Sequence, residues 1–426
     1  MTTSTASEMT ATALASLLPA ELCWRLSDSD TLPTGAFAAS GDGAVLHLDV
    51  RGWRGVAELA AESGAEHAAA VATAWLAACC AEISAHGGDV VELCGDRIVA
   101  IWREEVLARA AARAVTCGLA IVAAAPQWRE STGARLLLAT TVAAGDLSVN
   151  VLRDHTGKGF TVLAGGAVNA HGQISAKNRQ GDVVVDAPTA QLLGDRLQGD
   201  ELTAGCLRVL GISRALPPER LHRPNVRDGA RASLATLCYG REALAPADQT
   251  PRLVAGASAV AVRLPALGAS ADLDRSQRVF AAVSENLAAV GAEIVDLRVD
   301  AGGLTVTAML AADAMGADRA AAHAVLACGR FVPAPRGARA ACCFGVASGP
   351  LLEVTLVGER SACMRLGEAT RLASVLAGRA NGECLCDGAT AQQAGTWVGF
   401  EVVGRWRPPD TLVELELHRP TGRHPR

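Results

Sequence analysis

Aromatic side chains are scarce. They make up 3% of the 426 residues, with one tyrosine and six phenylalanines. Hydrophobic residues still reach 50%, so any core must be built mainly from Ala, Val and Leu. Lysine is scarcer still: Lys158 and Lys177 are the only two, and arginine supplies nearly all the positive charge. A lysine nucleophile or lysine phosphate clamp therefore has few candidates. The chain also lacks a basic surplus, with a formal charge of −5 and a pI near 6, which argues against a nucleic-acid partner. Among nine histidines and 13 cysteines there is no HExxH and no CxxC-linked zinc set. The cysteines read as small buried thiols of a reducing, cytoplasmic setting. Cys384 and Cys386, one residue apart, are read as facing away from each other and as a poor metal pair. The opening MTTSTASEMTATALASLLPAELCW has neither a basic start nor a continuous apolar core, so no signal peptide is expected. AAAVATAWLAACCAEI (68–83) is apolar but short and flanked by acids. It is expected to be a buried helix, with no membrane partner.

What the chain does contain is an internal repeat at a spacing near 204. HGGDVVELCGD (86–96) parallels VGAEIVDLRVD (290–300), so that Glu92 aligns with Asp296 and Asp96 with Asp300. TTVAAGDLSVNVL (140–152) parallels FGVASGPLLEVTL (344–356), and VVVDAPTAQLLG (183–194) parallels CLCDGATAQQAG (384–395). Three blocks in one order indicate two copies of one domain. The copies are placed at 35–205 and 252–410, with an N-terminal extension (1–34), a proline-bearing linker (206–251) and a C-terminal tail (411–426). Each copy opens on a strand, AVLHLDV (44–50) or VAVRLPAL (260–267), and continues through an Ala-rich helix to a hairpin at 89–102 or 293–309. A second Ala-rich helix, a strand pair, a third helix and a short strand follow. This rhythm predicts an α+β unit with a mainly antiparallel sheet and helices on one face. A short helix is expected at 230–240 in the linker. HTGKG (155–159) lacks the full GxxxxGK[ST] pattern and reads as a charged loop.

Within GDVVELCGDRIVAIW (88–102), Glu92 and Asp96 interrupt an otherwise buried hairpin. Buried carboxylates need a counter-charge, water or a bound cation. LHLDVRGW (46–53), HGGDVVELCGDRIVAIW (86–102), VAAG (142–145), GGAVN (165–169), GVASG (345–349) and RLGEATRLASV (365–375) together resemble the tandem catalytic domains of class III nucleotidyl cyclases, especially the soluble, bicarbonate-responsive adenylyl cyclases. The resemblance implies two ferredoxin-like domains packed head to tail as an intramolecular pseudo-dimer, with nucleotide sites between them. It places Asp49 and Asp96 at the two metal-binding aspartates, for Mg²⁺ or Mn²⁺. ATP or GTP would be the ligand, and the reaction 3′-hydroxyl attack on the α-phosphoryl group.

The partner half departs from the family pattern. Val295 or Asp296 stands where the base-reading lysine belongs, Arg371 where the asparagine belongs, and Val375 where the arginine belongs. In the mirror-related half, Leu264-Pro265 falls where the first aspartate belongs, Asp300 is a lone acid, Asn169 is kept, and Gln173 replaces the arginine. Glu92 replaces the bicarbonate-site lysine. Arg371, Arg360 and Asn169 are the remaining candidate phosphate contacts. The expected function is a catalytically impaired regulatory, scaffolding or nucleotide- and metal-binding module with an unidentified protein partner. Two alternatives stand beside it: an active adenylyl or guanylyl cyclase, and a purely structural interaction subunit. Loss of one transition-state donor costs about 3 kcal/mol, or roughly a hundredfold or more in rate.

Overall fold

Small side chains let helices lie close on sheets, and both halves of the chain use this. The computed structural model describes residues 10–16, 18–28, 35–51, 59–60, 62–94, 97–132, 137–175, 178, 181–203, 205–237, 251–265, 267, 272–311, 315–329, 342–356, 362–408 and 414–423. They form two compact units, one built on Met1–Arg153 and Gly157–Pro251, the other on Arg252–Glu353 and Arg365–Arg426.

The first unit runs α1 (Ala11–Ala15), α2 (Ala20–Asp28), β1 (Phe37–Arg51), α3 (Ala65–Ala85), β2 (Asp89–Cys94), β3 (Arg97–Trp102), α4 (Leu107–Thr132), β4 (Leu137–Arg153), β5 (Gly159–Ala164), α5 (Gly166–Ser175), β6 (Val183–Val185), α6 (Ala187–Leu193), β7 (Leu197–Thr203), β8 (Cys206–Ile212) and α7 (Arg231–Leu237). The second runs β9 (Arg252–Leu264), α8 (Leu273–Ala288), β10 (Glu293–Asp300), β11 (Gly303–Ala311), α9 (Ala317–Cys328), β12 (Cys343–Leu356), β13 (Ala362–Leu366), α10 (Glu368–Arg379), β14 (Cys384–Cys386), α11 (Gly388–Ala394), β15 (Val398–Trp406) and β16 (Leu415–Arg423).

The duplication is carried by topology. The first sheet has the order β2-β3-β1-β4-β6-β8-β7 with β5 on β4, and the second has β10-β11-β9-β12-β14-β16-β15 with β13 on β12. In each, one described pairing is parallel, β4 with β6 and β12 with β14. Even a bulge recurs: the register shifts at Val90/Glu92 in one copy and at Ile294/Asp296 in the other. The bulge rotates the strand and brings the carboxylate of the repeat to the same place in both units. Residues 206–212, placed in the linker by sequence, form β8 of the first sheet, and residues 415–423, placed in the tail, form β16 of the second. Both segments look loop-like because prolines, glycines and charges surround or interrupt them; sheet pairing overrides that composition.

In the first unit α4 covers one face of the sheet. Gly118 on α4 faces Leu46, Thr140 and Val183, and an added Cβ would come within 3.0 Å of Thr140. Ala110, Ala111, Ala112 and Ala114 are buried on the same helix. The few large aromatics fill what alanine leaves open. Trp75 and Trp102 are fully buried, and the Trp102 indole N–H donates to the His86 carbonyl at 2.9 Å. The opposite face carries α5, with Ala167 and Val168 packed against Val45, Val99 and Val149. Ala65–Ala85 and Leu107–Glu130 are long and apolar enough to cross a membrane by length and composition; here 56% and 50% of those windows are buried against the rest of the chain.

Candidate functional site

Strand β1 alternates strictly. Leu46, Leu48 and Val50 are buried, while Val45 joins the core under α5. The period of two therefore sends His47 and Asp49 toward the α5 face as well. Asp49 is half-buried near the end of the strand, opposite Arg97 on β3 and Ala139 on β4. His47 is opposite Val99 and Thr141. The His47 ring stacks on His171 of α5, with centroids 3.9 Å apart and planes 10° from parallel. His171 Nδ1 lies 2.7 Å from the Thr141 hydroxyl.

Helix α5 is fastened where it begins. The Gly166 N–H donates to the Asp146 carboxylate at 2.9 Å. Gly165 has φ of +122°, and a Cβ there would stand 2.4 Å from the Asp146 carbonyl oxygen. The glycine pair in LAGGAVN is thus required by backbone contact. It sets Asn169 one turn into the helix, with its side-chain oxygen enclosed and lacking a hydrogen-bond partner among the described residues. Gln173 lies one turn further along the same helix.

The question raised by Glu92 has a direct answer. Its carboxylate pairs with the guanidinium of Arg97, whose side chain is only 5% exposed. Arg97 also stands directly across from Asp49. The counter-charge for this acidic end of the sheet is therefore a residue of the chain, one that the sequence reading missed although it directly follows Asp96. Asp96 and Gly95, and with them the expected Asp49/Asp96 pair, lie outside the described residues.

In the second unit the register corrects the sequence alignment. Asp49 is opposite Ala139, next to Thr140, which pairs with Val183. Arg263 is opposite Cys343, next to Phe344, which pairs with Cys384. The position equivalent to Asp49 is therefore Arg263, not Leu264-Pro265. The loops between strand and hairpin differ in length, so a fixed spacing cannot find it. Arg263 donates to Asp300 at 2.7 Å and to the Gly302 carbonyl at 3.1 Å. Asp300, expected to be a lone acid, is thus an ion-pair partner, and it also accepts the Gly302 N–H at 2.7 Å. Asp296 is buried and pairs with Arg298 at 3.0 Å; Val295 beside it is half-buried. Arg371 is at the place of Asn169, one turn into α10, and its guanidinium donates to Glu368 at 2.8 Å. Val375 follows it, half-buried. Arg360 lies outside the described residues.

The residues present do not fit a divalent cation in the second unit, where a guanidinium stands in place of one carboxylate. In the first unit Asp49 has a cation of the chain across from it. Among the described residues no group of three or more His, Cys, Asp or Glu side chains is arranged to hold a metal ion.

No family model matches the sequence, and no curated protein matches it at a significant level. Among solved structures, a class III adenylyl cyclase-like ATP-binding protein from Pseudomonas aeruginosa aligns over 92% of this chain and 94% of its own, at 11% identity and a TM-score of 0.56. The chain has a class III cyclase-like fold, present twice. The adenylyl cyclase CyaB from P. aeruginosa aligns over 42% of this chain and 99% of its own, at 16% identity and a TM-score of 0.37. The guanylate cyclase domain of RhGC from Catenaria anguillulae, solved with GTP, aligns over 41% of this chain and all of its own, at 19% identity and a TM-score of 0.35.

Proposed function

We propose that this chain is a catalytically silent cyclase-homology module that binds a nucleoside triphosphate weakly and works through that binding. The observation that carries the silent half is the Arg263–Asp300 ion pair, 2.7 Å long, at the place equivalent to Asp49. Arg371 is tied to Glu368 instead of being held ready for phosphate, and Val375 offers no charge where the family has an arginine. Each lost donor is worth about 3 kcal/mol in the transition state, so several together remove most of the acceleration. Weak binding is supported by Asn169, kept at the family's asparagine position with a side-chain oxygen that has no hydrogen-bond partner among the described residues, and by Asp49. A solved structure that aligns over most of the chain is itself described as an ATP-binding, cyclase-like protein.

The decisive experiment incubates the purified full chain with ATP or GTP and Mg²⁺ or Mn²⁺. Cyclic product should stay at the level of a no-protein control, whereas calorimetry should record weak nucleotide binding that D49A and N169A reduce. Robust cyclic product would establish the competing reading, an active cyclase, for which the retention of Asp49 speaks. Absence of binding heat under every metal condition would leave a structural role only.

A further inference from the structure

Both units place a guanidinium at the acidic end of the sheet, but from different positions. In the first, β3 lies between β2 and β1, so Arg97 stands between the strand that carries Glu92 and the strand that carries Asp49. The bulge in β2 sets Glu92 in register with Val99, two residues along from Arg97, and Arg97 is in register with Asp49. Directly opposite residues of antiparallel strands have Cβ atoms about 4.5–5.5 Å apart on one face, and residues two apart on a strand share that face. The two acids and the arginine therefore lie on one side of the sheet. The Arg97 side chain is 5% exposed and pairs with the Glu92 carboxylate. In the second unit, the residue opposite Arg263 is Thr305 on β11. The facing positions thus read Asp49 and Arg97 in one copy, and Arg263 and Thr305 in the other. The cation has changed strand, yet each copy keeps one. The acid of the bulge is matched as well: Asp296, at the place of Glu92, pairs with Arg298 at 3.0 Å with its side chain 6% exposed.

We propose that Arg97 is a resident cation standing in for a divalent metal, so that the first unit excludes Mg²⁺ and Mn²⁺ and the chain takes its nucleotide free of metal. The second half of this rests on the nucleotide-binding reading above. A hard divalent ion is held by one or two carboxylates together with its own waters. Glu92 is already engaged by Arg97, and Asp49 faces the same guanidinium. A guanidinium stays charged at every pH the folded chain meets, so an entering ion meets a fixed positive charge beside both acids. Burial sharpens that repulsion, because a side chain 5% exposed is little screened by salt. Asp49 then serves nucleotide binding by fixing Arg97, not by holding a metal ion.

The test uses the full chain. Mn²⁺ titration, followed by the electron paramagnetic resonance of the free ion, should show no binding that D49N removes. R97Q, which deletes the charge and keeps a polar side chain, should bind Mn²⁺ at least about tenfold more tightly than wild type, and D49N/R97Q should cancel the gain. R97K, which keeps one cation, should match wild type. A purely structural role for Arg97 predicts no such gain. Calorimetry with ATP should give the same affinity in EDTA as in Mg²⁺, within about twofold, and R97Q should make binding depend on metal by about tenfold. Wild-type Mn²⁺ binding lost in D49N, no gain in R97Q, or wild-type ATP binding at least about tenfold weaker in EDTA would each overturn the proposal; the last leaves nucleotide binding itself standing. Absence of ATP heat in every condition would instead sink the nucleotide-binding reading and the second half of the proposal with it, while the Mn²⁺ measurements still decide the first. The wild-type measurements decide even if R97Q fails to fold.

Discussion

Arg263 stands where the repeat puts the Asp49 carboxylate, so its interaction with Asp300 should behave as an internal replacement for a cation, and this can be measured. Arg263 is 20% exposed and Asp300 30% exposed, so the pair is shielded but not dry. A charge-assisted hydrogen bond is worth about 1.5–3 kcal/mol, reduced toward the lower end by the remaining solvent. R263A should therefore cost about 1–2 kcal/mol. D300A should cost about 2–3 kcal/mol, because it also strips the acceptor from the Gly302 N–H. The double variant should reveal a coupling of about 1 kcal/mol. Denaturant titration in EDTA, followed by the fluorescence of Trp397 and Trp406, reads all three. R263D goes further. It sets two carboxylates side by side, and it should fall roughly 2 kcal/mol below R263A from like-charge repulsion at intermediate dielectric. Millimolar Mn²⁺ should narrow that gap by about 1 kcal/mol, because a cation again sits between the acids. Any Mn²⁺ bound elsewhere affects both variants alike, so the difference isolates this position. A coupling below about 0.3 kcal/mol, or a gap that Mn²⁺ leaves untouched, would refute the reasoning.

Three further outcomes follow from the same contacts. R97A leaves Glu92 half-buried without its partner and should cost about 2–3 kcal/mol, whereas replacing both residues by apolar ones in E92L/R97M should stay within about 1 kcal/mol of wild type; thermal melts of the two variants compare them directly. G345A should lose about 3 kcal/mol or more, because its Cβ would stand 2.0 Å from the Ala373 carbonyl and 2.4 Å from the Ala377 N–H nitrogen where α10 crosses β12. Burial raises the Asp387 carboxyl above its ordinary value of 3.8, against the hydrogen bonds from Thr390 and Ser348. A raised folded value means the folded chain holds the proton more tightly, so this group's contribution is complete below pH 3.8 and is lost as pH rises through the folded value. D387N, which keeps an acceptor for the helix start, should flatten the stability curve in that window and equal or exceed wild type at pH 7, as urea titrations at stepped pH would show.

Much of this molecule is legible in one dimension. The apolar run of AVLHLDV announces a strand, the run of alanines announces helices that can approach a sheet closely, and three repeated blocks announce a duplicated domain. These are local or periodic signals, and the hydrophobic effect reads them the same way in any context. Asp49 at a strand end and the glycine pair before Asn169 belong to the same class, since a tight backbone approach leaves glycine as the only choice.

The charges of the site were settled elsewhere. Arg97 is unremarkable in the string DRIVAIW, and only the hairpin register sets it against Glu92 and across from Asp49. Arg263 was hidden because loop lengths differ between the copies, so spacing pointed to Leu264-Pro265 and only hydrogen-bonded pairing identified the equivalent residue. His171 meets His47 across a long stretch of intervening chain, and Cys384 and Cys386, read as facing apart, have their sulfurs 3.9 Å from each other because residues two apart on a strand share a face. Pairing at such separations depends on which strands lie side by side, and an electrostatic partner is chosen by distances of a few ångströms in space. Sequence by itself determined that two cyclase-like sheets would form and which acids would need a counter-charge. Tertiary structure alone decided that arginines of the chain would supply it, because register and not residue type brings opposite charges together.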